Sequence, residues 1–320
     1  MEAFIYPKKE EWNDLLARPT ASYEELETLV SQVFLQVQKD GDKAVAAYTQ
    51  QFDQIALKTT AVNESEIAHA SSSVSDELKQ SIQLAKANIE AFHKAQQTPT
   101  VKVETQVGVN CWQEKRPIQK VGLYIPGGSA PLFSTILMLA IPAQIAGCEE
   151  IVLCSPPDKA GNLPDVVLYT AQLCGVTKIF KVGGIQAIAA MTFGTETIPS
   201  VYKLFGPGNQ YVTVAKQWAT RYNMAIDMPA GPSELLVVAD ASASPAYVAA
   251  DLLSQAEHGP DSQVILVTTD ESILEKVQKE IKQQLAVLPR KEIAEKAIAN
   301  SKMIAFASDE LAIDFINQYG

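Results

Sequence analysis

The sequence predicts an α/β fold: two Rossmann-like parallel-sheet domains, one inserted in the other, with N-terminal helices. Three observations predict it. From Val121 to Pro229, short apolar runs bounded by Gly and Pro alternate with longer segments of helical period. A second alternation of the same kind runs from Ser233 to Gly320. The first hundred residues instead carry helical patterning almost throughout. Strands alternating with helices through short loops imply parallel sheets covered on both faces, with right-handed crossovers.

In chain order, Ser22 with Glu25 reads as a capping box before YEELETLVSQVFLQVQKD, which Gly41 punctuates. A second helical pattern covers about 74–97. Near Val101 the period becomes two, in VKVETQVGVNCWQEKRPI. VGLYIP (121–126), IVLCSP (151–156), KIFKVGG (178–184), VYKLFGPG (201–208) and MAIDMP (224–229) read as strands, with helices between them. The second set comprises strand SELLVVAD, helix 245–258, strand SQVILVTT, helices 271–286 and 290–299, strand KMIAFA and a last helix running to Gly320. The domain expectation is 1–118 with 236–320 as a discontinuous first domain, and 119–235 as the insert.

Composition narrows the function classes. Hydrophobic residues make up 47% and charged residues 20%, enough apolar chain for sizeable cores. A net charge of −11 without a basic stripe argues against nucleic acid as a partner. Cys111, Cys148, Cys154 and Cys174 form no C-x-x-C pair, and all but Cys111 have apolar neighbours, so reduced thiols are expected. Residues 121–148 carry no charge, but Pro126, Pro131 and Pro142 divide them into a buried strand, a loop and a buried helix rather than a membrane span. MEAFIYPKKEEW has no signal-peptide pattern, and a cytoplasmic location is expected.

Open parallel sheets bind ligands beyond the C-terminal ends of their strands. Three loops there are glycine-rich: YIPGGSAP with Gly127 and Gly128, KVGGIQA with Gln186, and FGPGNQ with Gly206, Gly208 and Asn209. Each precedes a helix whose N-terminal amides suit a phosphate, although tight βα turns favour Gly and Pro in any case. The fingerprint G-x-G-x-x-G is absent, since Tyr211 takes the third glycine's place. DMPAGPSELLVVAD brings Asp227, Ser233 and Glu234 around a Pro/Gly-rich turn, either a plain connection or a crevice lining. Of the three histidines, His69 and His93 lie in polar helical stretches and read as surface residues. QAEHG places Gln255 and His258 three apart on one helical face. That spacing is open to a metal pair or to a plain helix terminus.

VGLYIPGGSAPLFSTILM, VGGIQAIAAMTFGTETIP, FGPGNQYVTVAK, DMPAGPSELLVVAD and DLLSQAEHG, in this order, resemble histidinol dehydrogenase, as does GDKAVAAYTQQFD. The resemblance covers nearly the whole chain. It implies zinc- and NAD-dependent oxidation of L-histidinol to L-histidine through histidinaldehyde, in a homodimer. It places Tyr124, Gln186 and Asn209 at NAD, Ser233 at the substrate, and Gln255 and His258 at both zinc and substrate. The 119–235 insert becomes the NAD-binding domain. In the family a Glu-His pair and two further zinc ligands follow the segment matching FINQYG. None of these is in this sequence, so no catalytic acid–base residue is expected here and the chain is expected to be inactive alone. The alternatives are a dehydrogenase of the same fold acting on another small alcohol, and a non-catalytic nucleotide-binding module.

Overall fold

The computed structural model describes residues 1–17, 23–127, 131–229, 234–260 and 262–319. Contacts divide the chain into two units, 1–21 with 231–320 and the intervening 22–230. Each unit is built on a fully parallel sheet, as the alternating pattern predicts.

The first unit contains β1 (Glu2–Ile5), α1 (Trp12–Leu16), and, later in the chain, β9 (Glu234–Ala239), α10 (Pro245–Ala256), β10 (Gln263–Thr268), α11 (Glu271–Val287), α12 (Lys291–Ala299), β11 (Lys302–Ala305) and α13 (Asp309–Tyr319). Its sheet order is β1-β11-β10-β9. Period-two alternation decides the packing. Val264, Leu266, Met303 and Ala305 join α10, α11 and α12 on one face. Ile265, Val267 and Ile304 meet Trp12, Phe306 and Phe315 on the other. The Trp12 ring stands edge-on to Phe306 at 5.6 Å and to Phe315 at 5.4 Å. The edge strand β1 was not foreseen. It is only four residues long, stops before Pro7, and is held by register with β11, a partner some three hundred residues away.

The second unit contains α2 (Tyr23–Asp40), α3 (Asp42–Phe52), α4 (Glu64–Ser73), α5 (Asp76–Ala95), the hairpin β2 (Lys102–Gln106) and β3 (Val109–Trp112), β4 (Lys120–Tyr124), α6 (Phe133–Ala146), β5 (Glu150–Ser155), α7 (Asp165–Leu173), β6 (Lys178–Lys181), α8 (Gly184–Phe193), β7 (Lys203–Phe205), α9 (Gln210–Ala219) and β8 (Ala225–Ile226). The sheet order β6-β5-β4-β7-β8 is doubly wound. Tyr124, Val152, Cys154 and Phe180 face α8 and α9. Val121, Leu123, Leu153 and Ile179 face α6 and α7.

The domain boundaries differ from the expectation. Residues 22–118 belong with the second sheet rather than with 236–320. The reason is apolar matching. Leu26, Val30, Val33 and Phe34 of α2 bury against α8 and α9, while Ala70 and Ile82 of α4 and α5 bury against the opposite layer. Helical periodicity shows which face of a helix is apolar, but not which sheet covers it. Ser22 of the expected capping box and Gly320 lie outside the described residues. Helix α10 ends at Ala256, two residues earlier than expected. Among the described residues, no helix is long and apolar enough to cross a membrane. The four cysteines are free, with Cys154 and Cys174 buried, Cys148 half-buried and Cys111 exposed.

Candidate functional site

In the doubly wound sheet the strand order reverses between β4 and β7, and the loops leaving these two strands diverge to opposite faces. A crevice opens at such a switch point. Here it is a cavity of about 650 Å3, walled by Phe52, Asp53, Tyr124, Gly127, Pro156, Gly184, Asn209 and Tyr211, among others. Its size falls in the usual range for small-molecule and cofactor sites.

The backbone around it is fixed by contacts that exclude side chains. Gly206 has φ +131°, and a Cβ there would overlap the Tyr124 carbonyl oxygen, so the ends of β4 and β7 touch directly. The Gly206 N–H donates to Asp227 Oδ2 at 2.8 Å, and its carbonyl accepts from Lys216 Nζ at 2.7 Å. Lys216 and Asp227 in turn form an ion pair, with the Lys216 side chain only 3% exposed. Asp227, a candidate crevice lining in the sequence, thus holds the switch-point loop. Lys216 gave no signal, because a lysine in an amphipathic helix reads as solvent-facing.

The sequence-predicted residues fall in different places. Tyr124 lines the cavity and is buried. Its hydroxyl accepts from the Gly184 N–H at 3.0 Å, satisfying an unpaired amide at the start of α8. Burial pushes the phenol up to about 12. Asn209 also lines the cavity and caps α9, its side-chain oxygen accepting from the Val212 N–H at 3.1 Å. Gln186 is fully buried behind the wall. Its Nε2 lies 3.4 Å from Asp53 Oδ2 and its Oε1 has no partner among the described residues. Asp53, half-buried at the end of α3, closes the stretch GDKAVAAYTQQFD yet stood out for no chemical reason in the sequence. Burial raises its carboxyl above its ordinary value.

In the other unit, Gln255 lies in the last turn of α10 and its Nε2 is buried without a hydrogen-bond partner among the described residues. His258 follows the helix in an exposed bend, and its N–H donates to the Gln255 carbonyl at 3.2 Å. The expectation that both project from one helix face is therefore corrected, because the helix has ended before His258. Ser233 and Gly128 lie outside the described residues. His69 is exposed and His93 half-buried, both on helices.

These features bear on the two cofactors that the resemblance implies. The cavity fits a dinucleotide: close-approach glycines, a capped helix N-terminus and an apolar wall meet at one switch point. Zinc fits less completely. The orphaned atom of Gln255 is Nε2, an N–H donor, whereas a metal would take the amide oxygen, and among the described residues no three or more His, Cys, Asp or Glu are grouped to hold a metal ion. Two donors do not close a tetrahedral site.

Comparison with known proteins assigns the family. The model of the histidinol dehydrogenase family matches residues 16–320. Histidinol dehydrogenase from Bacteroides thetaiotaomicron is 56% identical over all of this chain and 74% of its own length. The enzyme of the same name from Escherichia coli is 53% identical over 97% of this chain and 71% of its own. The crystal structure of histidinol dehydrogenase from Elizabethkingia anophelis superposes with a TM-score of 0.93 at 55% identity, covering all of this chain and 74% of that one. With a family match over residues 16–320 and this degree of identity, the chain belongs to the histidinol dehydrogenases, a family of oxidoreductases.

Proposed function

We propose that this chain binds NAD in the switch-point cavity and serves the oxidation of L-histidinol to L-histidine through histidinaldehyde, in histidine biosynthesis. Tyr124 and Asn209 form the dinucleotide wall, and Gln186 acts from behind it through Asp53. Gln255 and His258 contribute two donors to zinc and contact the substrate, together with Ser233. The assembly is a cytoplasmic homodimer that engages neither nucleic acid nor membrane.

The observation that carries this reading is the cavity itself. A hydride acceptor must be fixed against the reacting carbon, and preorganisation of that kind needs a rigid wall. Tyr124, pinned to Gly184, and Gly206, pinned between Asp227 and Lys216, supply it. Zinc, when bound, supplies a template for the substrate's nitrogen donors. The described residues supply the coenzyme wall and part of that donor set, so binding is the direct test.

Calorimetric titration of the chain with NAD should give one saturable site. Zinc should bind weakly, and His258→Ala should weaken it at least about tenfold, the minimum expected on losing one of two donors. An NAD titration that never saturates up to millimolar concentration would remove the coenzyme reading. Zinc binding indifferent to His258→Ala would remove the metal assignment.

A further inference from the structure

We propose that Asp53 reads the unphosphorylated ribose on the adenosine side of the dinucleotide, and so makes this cavity select NAD over NADP. The proposal rests on the coenzyme reading above and adds to it a specificity-determining residue.

The charges on the wall carry the argument. Among the described lining residues the charged side chains are Asp53 and Asp158, with no Lys or Arg. Asp158 is exposed, so water serves its free oxygen, and its Oδ1 is held in its own loop by the N–H groups of Ala160 and Asn162, both at 2.9 Å. Asp53 is half-buried instead. One of its oxygens is approached from behind by Gln186 Nε2, at a long 3.4 Å, and the other takes part in no hydrogen bond with the described residues. A half-buried carboxylate with a vacant oxygen on a cavity wall calls for hydroxyl donors, and burial adds to the demand by withholding water.

A vicinal ribose diol offers two O–H groups to one carboxylate. A 2′-phosphate offers none in that position, and brings close to two negative charges beside a carboxylate with no cation among the described residues of the wall to offset them. Gln186 completes the device. Fully buried, it is in position to hold Asp53 against the wall, so the carboxylate need not be ordered when ligand arrives.

The test is calorimetric titration of the chain with NAD and with NADP, for the unmodified protein and for Asp53→Asn, Asp53→Glu and Asp158→Asn. Asp53→Asn keeps the shape and removes the charge. The unmodified chain should favour NAD on the order of a hundredfold, and Asp53→Asn should bring the ratio within about tenfold, as expected when a like-charge contact is lifted. Asp53→Glu should retain most of the preference. Asp158→Asn, the same loss of charge on the same wall, should leave the ratio in place.

A ratio unchanged in Asp53→Asn, with both coenzymes still bound, overturns the proposal and leaves the coenzyme reading standing. An equal collapse in Asp158→Asn also overturns it, since the wall's general field would then decide. Binding of neither coenzyme to the unmodified chain removes the coenzyme reading, and this proposal with it.

Discussion

Replacing Asp227 with Ala takes away the anionic partner of Lys216 and the acceptor of the Gly206 N–H at once. The Lys216 ammonium is left buried, with the Gly206 carbonyl at 2.7 Å as its remaining partner. Breaking a buried pair in this way costs about 3–5 kcal/mol, and the unpaired amide adds about 1 kcal/mol. The Asp227 side chain is 27% exposed, so water reaches the gap and the sum falls back to about 3 kcal/mol. For a unit of roughly two hundred residues this corresponds to about 6–12 °C in Tm. Scanning calorimetry should show that shift in the transition of the 22–230 unit. Adding Lys216→Met removes the stranded charge and should return about 1 kcal/mol, whereas Lys216→Met alone should be destabilising. Reversal of sign between the two backgrounds is the signature of coupling. If Lys216→Met costs the same with Asp227 or Ala at 227, the two residues do not act as a pair and the account of the switch-point loop is wrong.

Two further outcomes follow from the same structure. Tyr124→Phe leaves the Gly184 N–H without its acceptor and should cost about 1–2 kcal/mol near neutral pH. The deficit should shrink as pH rises from about 10 toward about 12. There the unfolded phenol ionises while the buried Tyr124 stays protonated, so the native tyrosine's advantage is lost; a deficit constant across pH-dependent unfolding curves would contradict this. Trp12→Ala opens the aromatic cluster with Phe306 and Phe315 and should cost about 3–5 kcal/mol. Calorimetry should place that loss in the unit formed by 1–21 and 231–320; an equal shift of the 22–230 transition would contradict the division of the cores.

Much of the architecture was legible in the sequence because it is written in local periods. VGLYIP and IVLCSP are strands buried on both faces, and DELKQSIQLAKANIEAFHKA is a helix with one apolar stripe. FGPGNQ was legible as one of three glycine-rich loops at strand ends, but only the strand order places it at the switch point. Long matched motifs also identified the family.

What tertiary structure alone decided is everything that depends on partners distant in sequence. Whether α2 covers one sheet or the other is a matter of shape between apolar faces that look alike as patterns. The pairing of Lys216 with Asp227, the strand at Glu2–Ile5, and the neighbourhood of Asp53 and Gln186 each join residues whose own segments give no hint of the meeting. Local physics dictates which faces need burying; only the folded chain shows what buries them and which polar atoms are left facing the cavity.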